Sequence, residues 1–331
     1  MRLLVLGGTE FAGRAVVEAA LGRGWDVTVF NRGRQVPTAG VRSLVGDRTA
    51  PGGLDALADG EWDAVVDTWR LAPTAVRDAA RLLRGRAARY VYVSSCSVYT
   101  WAPPAGYTED ADVVEGAAAD AEQTDYARDK RGGELAALDA FGADRTVLVR
   151  AGLILGPHEN VGRLPWWLGR IARGGRVLAP GPRELPLQYI DVRDLAEWIV
   201  GAVELELSGP FNLMSAQGHT TMGEFLDACV TVTGSDAELR WTDPQVILDA
   251  GIEPWTQLPV WVPPGTDMHD ALHAADVSRA LGTGLVCRPV EETVADTWDW
   301  LRDVGGVAPL RSAVAVKGLD PDVEEKVLGG S

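Results

Sequence analysis

Two rhythms of apolar residues alternate through the first half of the chain. Short runs at Arg2–Leu6, Trp25–Phe30, Val41–Val45, Ala64–Asp67, Tyr90–Ser94 and Thr146–Val149 have the length and apolar content of buried strands. Between them, Phe11–Leu21 carries Val16, Val17 and Ala20 on one side at helical spacing. A second helix starts near Pro73, whose fixed φ suits a first turn, and a third covers Asp125–Ala140. Apolar strands separated by helices predict parallel pairing through right-handed crossovers. The fold class expected is therefore α/β, with a Rossmann-type doubly wound parallel sheet.

After Arg150 this rhythm fades, and prolines and tryptophans thicken (Trp166, Trp167, Trp241, Trp255, Trp261). Asp191–Val200 and Thr221–Thr233 still read as helices, and Pro210–Met214 reads as a short strand. The change of texture predicts a smaller C-terminal α/β substrate domain. Residues 1–151, plus about 188–204, are expected to form the dinucleotide-binding domain. About 152–187 and 205–303 are expected to form the substrate-binding domain, and 304–331 a C-terminal tail ending in a helix over Pro321–Val327. Most of the later tryptophans are expected in the core.

Composition narrows the function classes. The 331 residues are 46% hydrophobic and 24% charged, which excludes a disordered chain. No run approaches the length of a membrane span, and the opening apolar run leads into a glycine-rich turn rather than a cleavage site. Cys96, Cys229 and Cys287 are odd in number and widely spaced, so neither a disulfide framework nor a zinc site is expected, and a cytoplasmic location is. A net charge of −16 argues against nucleic acid as the partner. His269 and His273 stand four apart, but the glutamate of a zinc helix is missing and no metal is expected. The expected partner is a small-molecule substrate, with a homodimer left open. The basic residues are 28 Arg and only Lys130, Lys317 and Lys326, which makes a lysine in a motif informative.

Two constellations carry chemistry. The first strand leads into Gly7-Gly8-Thr9-Glu10-Phe11-Ala12-Gly13-Arg14 and then a helix, the context in which backbone amides and a helix N-terminus cradle a pyrophosphate. Gly7, Thr9, Glu10, Phe11 and Gly13 are its candidate cofactor contacts, with Glu10 in place of the usual middle glycine. The second strand ends at Asn31-Arg32-Gly33-Arg34, without the carboxylate that accepts from a ribose 2′-hydroxyl. Asn31, Arg32 and Arg34 instead suit a 2′-phosphate, so NADP(H) is expected over NAD(H). Asp47 and Arg48 follow the third strand at the adenine edge, and Thr68 and Trp69 follow the fourth.

The second constellation is Ser94-Ser95-Cys96-Ser97-Val98-Tyr99 after the fifth strand, with Tyr126-x-x-x-Lys130 opening a helix. Residues four apart share a helical face. An ammonium near a phenol favours its ionised form, and a serine hydroxyl opposite can orient a carbonyl. Six tyrosines and three lysines give only about 0.05 such spaced pairs by chance.

These residues, together with Gln188-Tyr189-Ile190-Asp191-Val192-Arg193-Asp194, resemble the extended short-chain dehydrogenase/reductase family. More narrowly, the chain resembles the NAD(P)-dependent epimerase/dehydratase type, in an actinobacterial reductase-like form with an atypical glycine motif. The resemblance covers about residues 1–300. It implies that Ser95 polarises the substrate oxygen, Tyr126 transfers the proton, and Lys130 lowers the tyrosine pKa while bonding the nicotinamide ribose. It also implies that Ala151, where the family has proline, lies beside the nicotinamide.

Ser95-Cys96-Ser97 lacks the Asp-Glu pair of the family's dehydratases, so elimination of water is poorly provided for. The expected function is NADP(H)-dependent hydride transfer to or from a carbonyl or alcohol of a small metabolite. A sugar-nucleotide epimerase with retained NAD and a non-catalytic nucleotide-sensing or RNA-binding protein are the alternatives.

Overall fold

β1 (Arg2–Leu6) is buried from Leu3 onward and has a parallel strand on each side. Successive side chains point to opposite faces, so Leu3 and Val5 enter one core while Leu4 and Leu6 enter another. Two covered faces leave no polar side, which is why the run is continuous rather than alternating. In chain order there follow α1 (Phe11–Gly22), β2 (Asp26–Asn31), β3 (Arg42–Val45), β4 (Trp62–Asp67), α2 (Thr74–Leu83), β5 (Ala87–Ser95), α3 (Tyr126–Phe141) and β6 (Thr146–Ala151). All the elements expected in this half form, with ends displaced by a few residues. The computed structural model describes residues 1–311 and 316–329.

The remainder of the chain adds β7 (Ile154–Leu155), α4 (Arg163–Ala172), β8 (Arg176–Pro180), β9 (Pro186–Leu187), β10 (Ile190–Asp191), α5 (Val192–Glu204) and β11 (Gly209–Leu213). β12 (Thr220–Thr221), α6 (Met222–Thr233), β13 (Glu238–Thr242), α7 (Pro244–Asp249), α8 (Asp267–His273) and α9 (Ser278–Leu281) come next. α10 (Val290–Asp303) and α11 (Pro321–Gly329) close the chain.

The main sheet has seven parallel strands in the order β11-β6-β5-β4-β1-β2-β3. Helices α1 and α5 cover one face through Val16, Val17, Leu195 and Ile199. Helices α2 and α3 cover the other through Val76, Leu83, Ala137 and Phe141. This is the Rossmann-type doubly wound architecture expected.

Two boundaries differ from the sequence expectation. β11, expected in the substrate-binding part, pairs with β6 along its whole length and is the edge of the main sheet. Its Phe211 packs on Trp198 of α5, with ring centroids 4.8 Å apart. The described residues after 304 are no separate tail, because Leu319 and Leu328 are buried in the core of the second part. That core joins Trp167 and Leu168 of α4, Phe225 of α6, Val294 of α10 and Trp261. Among the described residues, no helix is long and apolar enough to cross a membrane.

Candidate active site

Parallel strands put all their carboxyl ends on one edge, and a cleft of about 1290 Å³ opens there. Its walls include the ends of β1, β2, β4, β5 and β6, with residues of the second part opposite.

The glycine turn after β1 is required by close approach. Gly7 has φ 118°, and a Cβ on it would lie 2.5 Å from Thr68 Oγ1. A Cβ on Gly13 would lie 2.7 Å from the backbone nitrogen of Gly8, so α1 can sit against the turn only with glycine there. No acidic side chain lies in the first turn of α1, and Glu10 makes no capping bond to it. The positive end of the helix is thus free for an anion from outside. Glu10 instead accepts a hydrogen bond from Asn160 Nδ2 at 3.1 Å, reaching across the cleft.

At the end of β2, Asn31 Oδ1 accepts from the Gly33 amide at 2.8 Å, while Asn31 Nδ2 is buried without a partner. An orphaned buried donor beside a glycine cradle fits a dinucleotide whose oxygens would satisfy it. Arg32 and Arg34 are exposed at the rim and lie near Asp47. The Asp47 carboxylate is held below the usual range by hydrogen bonds from the Thr49 hydroxyl and amide, and further by the two guanidinium groups.

Most of the Arg48 guanidinium is engaged within the fold. Its guanidinium turns inward and donates to Asp67 Oδ1 and Oδ2 at 2.7 and 2.8 Å and to the Ala75 carbonyl at 2.7 Å. Tyr90 also donates to Asp67, at 2.6 Å, and Arg48 lies 5.0 Å from the Trp69 ring centre. Burial pushes the Asp67 carboxyl up, but Arg48 and Tyr90 override it and leave it below its ordinary value. Arg48 therefore braces the sheet edge, while its Nε, in the cleft wall, is buried without a partner. Thr68, Trp69 and Ala151 line the cleft as expected.

Ser95 ends β5, and Tyr126 is the first residue of α3, which Asp125 caps by accepting from the Arg128 amide at 3.0 Å. Ser95 Oγ donates to Ser97 Oγ at 3.1 Å and lies close enough to Tyr126 to favour its ionised form. Tyr126 faces the cleft with 48% of its surface accessible. Desolvation by the cleft walls raises its pKa, while Ser95 and the guanidinium groups of Arg163, Arg70 and Arg311 pull it down. One turn along α3, Lys130 is buried and donates to the carbonyls of Trp69 and Val93 at 2.5 and 2.6 Å. Desolvation lowers its pKa to about 7. The cations acting most strongly on Tyr126 are thus arginines, not Lys130 as expected. As an ammonium Lys130 has three donors, and the carbonyls of Trp69 and Val93 take two of them.

Sequence reasoning found the glycine turn and Ser95, Tyr126 and Lys130, and the fold brings them to one cleft. It missed Arg70, Arg163, Arg311 and Asn160, which line the same cleft from three separate stretches and share no common pattern. The His269 and His273 pair lies in the second part. Nδ1 of His273 accepts from the Gln188 amide at 3.0 Å, Nε2 lies 3.2 Å from the Val260 carbonyl, and burial lowers its pKa to about 4. Among the described residues, no group of three or more His, Cys, Asp or Glu is placed to hold a metal ion.

Comparison with solved structures places this fold among known ones. The Bordetella bronchiseptica enzyme WbmH in complex with NAD+ matches with a TM-score of 0.68 at 19% identity, covering 92% of this chain and 99% of that one. UDP-glucuronic acid 4-epimerase from Bacillus cereus, in complex with NAD, matches with a TM-score of 0.64 at 14% identity, covering 92% and 99%. UDP-glucose 4-epimerase from Bifidobacterium longum, in complex with NAD+ and UDP, matches with a TM-score of 0.64 at 17% identity, covering 93% and 100%. At such identities the likeness establishes the fold. A search of curated proteins gave no match. Residues 3–213, more than half of the chain, match the NAD dependent epimerase/dehydratase family. On that match and this fold, the chain belongs to the NAD-dependent epimerase/dehydratase family and is an enzyme of the extended short-chain dehydrogenase/reductase type.

Proposed function

We propose that the protein is an NADP(H)-dependent oxidoreductase that interconverts a carbonyl and an alcohol on a small, exchangeable metabolite. The observation that carries this reading is the meeting of Ser95, Tyr126 and Lys130 in one cleft with an uncapped helix N-terminus and a glycine cradle. When bound, the nicotinamide dinucleotide supplies or accepts the hydride. Ser95 holds the substrate oxygen by donating to it, and Tyr126 gives or takes that oxygen's proton. Lys130 keeps a donor for the cofactor's ribose, and Asn31 keeps one for its adenosine end. Support for NADP over NAD comes from Arg32 and Arg34 at the rim and from the lack of a carboxylate at the end of β2.

Calorimetric titration tests the cofactor preference. NADPH is expected to bind at least about tenfold more tightly than NADH, since a charge-assisted phosphate contact contributes roughly 1.5–3 kcal/mol. Equal affinities, or tighter NADH, overturn it. The second reading is a sugar-nucleotide epimerase that retains NAD, favoured by the UDP-sugar epimerases with NAD among the fold relatives. Mass spectrometry of the purified protein separates the two, because an epimerase carries its NAD through purification and gives no net redox change.

A further inference from the structure

Among the described residues, the buried and half-buried arginines elsewhere meet carboxylates, with Arg86 the exception. Arg48 pairs with Asp67 at 2.7 Å, Arg150 with Glu134 at 3.0 Å, Arg170 with Glu324 at 2.7 Å and Arg288 with Asp194 at 2.7 Å. Three arginines in the wall of the cleft break this rule. The guanidinium groups of Arg70, Arg163 and Arg311 make no hydrogen bond or ion pair among the described residues, although all three side chains are partly buried. Arg163 stands at the start of α4 with its guanidinium 5.1 Å from the Trp255 ring centre. Nε of Arg311 is buried without a partner.

The carboxylates nearest to them are already engaged. Glu159, which acts on Arg163, accepts from the first amides of α4, Arg163 N at 2.7 Å and Leu164 N at 3.1 Å. Glu10, which acts on Arg311, accepts from Asn160. The three guanidinium groups all act on Tyr126, and Arg70 and Arg163 depress the pKa of Arg311 after desolvation, its largest cause. Like charges gathered in a molecule of net charge −16, without bound carboxylates, store an unmet demand for an anion.

The C-terminal segment is built into this wall. The Arg311 amide donates to the Asn160 carbonyl at 2.9 Å, and the Val316 amide donates to the Val161 carbonyl at 3.0 Å. Gly162, next in the chain, has φ 95°, and a Cβ there would come within 2.9 Å of Leu310 Cδ2. Arg311 is therefore fixed in the cleft by backbone contacts that precede any ligand.

We propose that Arg70, Arg163 and Arg311 form a receptor for an anionic group, a carboxylate or a phosphate, carried by the substrate beside the carbon on which Tyr126 acts. The inference rests on the oxidoreductase reading above and narrows its substrate to an acid or a phosphate ester. An arginine fork matches either group, and an anion seated there would neutralise the field that the guanidinium groups now exert on Tyr126.

The test loads the full chain with whichever of NADP+ or NAD+ binds more tightly and titrates it calorimetrically with three probes: pyruvate, inorganic phosphate and uncharged pyruvamide. One of the two anions is expected to bind and pyruvamide is not, and the anion that binds identifies the source. Arg163→Met and Arg311→Met are each expected to weaken it by at least about tenfold while leaving dinucleotide affinity within about twofold. Arg70→Met, which breaks no hydrogen bond or ion pair among the described residues, is expected to act in the same direction, and Arg84→Met on the exposed turn after α2 is not. A loaded protein that binds neither anion overturns the inference and leaves the oxidoreductase reading intact. So does undiminished anion binding in the variants, or a loss of dinucleotide equal to the loss of anion, which would make these residues cofactor ligands. A protein that binds no dinucleotide overturns both readings.

Discussion

Tyr126 and Lys130 are four residues apart on one helix, yet the structure gives them different surroundings. Tyr126 opens on the cleft, so replacing it with Phe keeps the ring and removes only the hydroxyl. Turnover of an identified substrate is expected to fall about 10²-fold or more while dinucleotide binding, read by calorimetry, is kept. Lys130 is buried against two carbonyls with its pKa lowered to about 7 by desolvation, from 10.5. Between those values the unfolded chain holds a proton that the native state has released. Native stability tied to Lys130 is therefore full near pH 10.5 and is lost as the pH falls toward 7. Melting curves of cofactor-free protein from pH 7 to 9.5 should show this slope, and Lys130→Met should flatten it. A parallel pH profile in the variant would show that the ammonium titrates normally. Both residues were legible because their spacing is local. Arg48 was not, because its partner Asp67 lies on another strand and only the folded sheet brings the two together.

Elements were legible where the apolar period was strong, as in β1, α1 and β4. The glycines between them could also be read, since their need arises at the crossing of a strand end and a helix start. Gly13→Ala tests how tight that crossing is. Its Cβ would meet Gly8 N at 2.7 Å and Gly8 Cα at 3.1 Å, and backbone has no rotamer by which to yield. Overpacking of this kind costs roughly 1–3 kcal/mol. Denaturant titration should therefore show a lowered midpoint with an unchanged slope. Dinucleotide affinity should fall as α1 moves away from the cradle, and a variant with wild-type midpoint and affinity would mean that the turn has slack. The position of β11 could not be read in this way. Its short run looks like any edge strand, and the choice of β6 as neighbour depends on Trp198 and Phe211 packing between distant segments.

At the scale of the whole molecule, the cleft lies between the sheet edge and a second core, and the last helix belongs to that second core. Composition could not reveal this, because a glycine- and valine-rich stretch before α11 reads as a loose tail. The burial of Leu319 and Leu328 and one buried ion pair make it part of the fold. Glu324 accepts from Arg170 Nε at 2.7 Å and from the Leu178 amide at 3.0 Å, which ties α11 to α4 and β8 at once. Arg170 also donates to the carbonyls of Gly174 and Arg176, at 3.2 and 2.6 Å.

Replacing Glu324 with Met would leave the Arg170 charge buried with carbonyls alone, and breaking one side of a buried pair costs roughly 3–5 kcal/mol. The two remaining acceptors put the expectation near 3 kcal/mol, seen as a melting temperature several degrees lower. Replacing both, Arg170→Met with Glu324→Met, removes the uncompensated charge and should recover most of the loss. Dinucleotide affinity of the single variant, measured below its melting transition, should stay at wild type, because the glycine cradle rests on the other core. Anion affinity should also stay close to wild type, because the Arg311 amide is anchored on the Asn160 carbonyl. If the single variant melts with the wild type, α11 is held by its apolar contacts and by the bond from Arg176 to the Leu328 carbonyl, and the ion pair contributes nothing. If that variant binds the anion more weakly, the position of Arg311 depends on the helix beyond it and not on its bond to Asn160 alone.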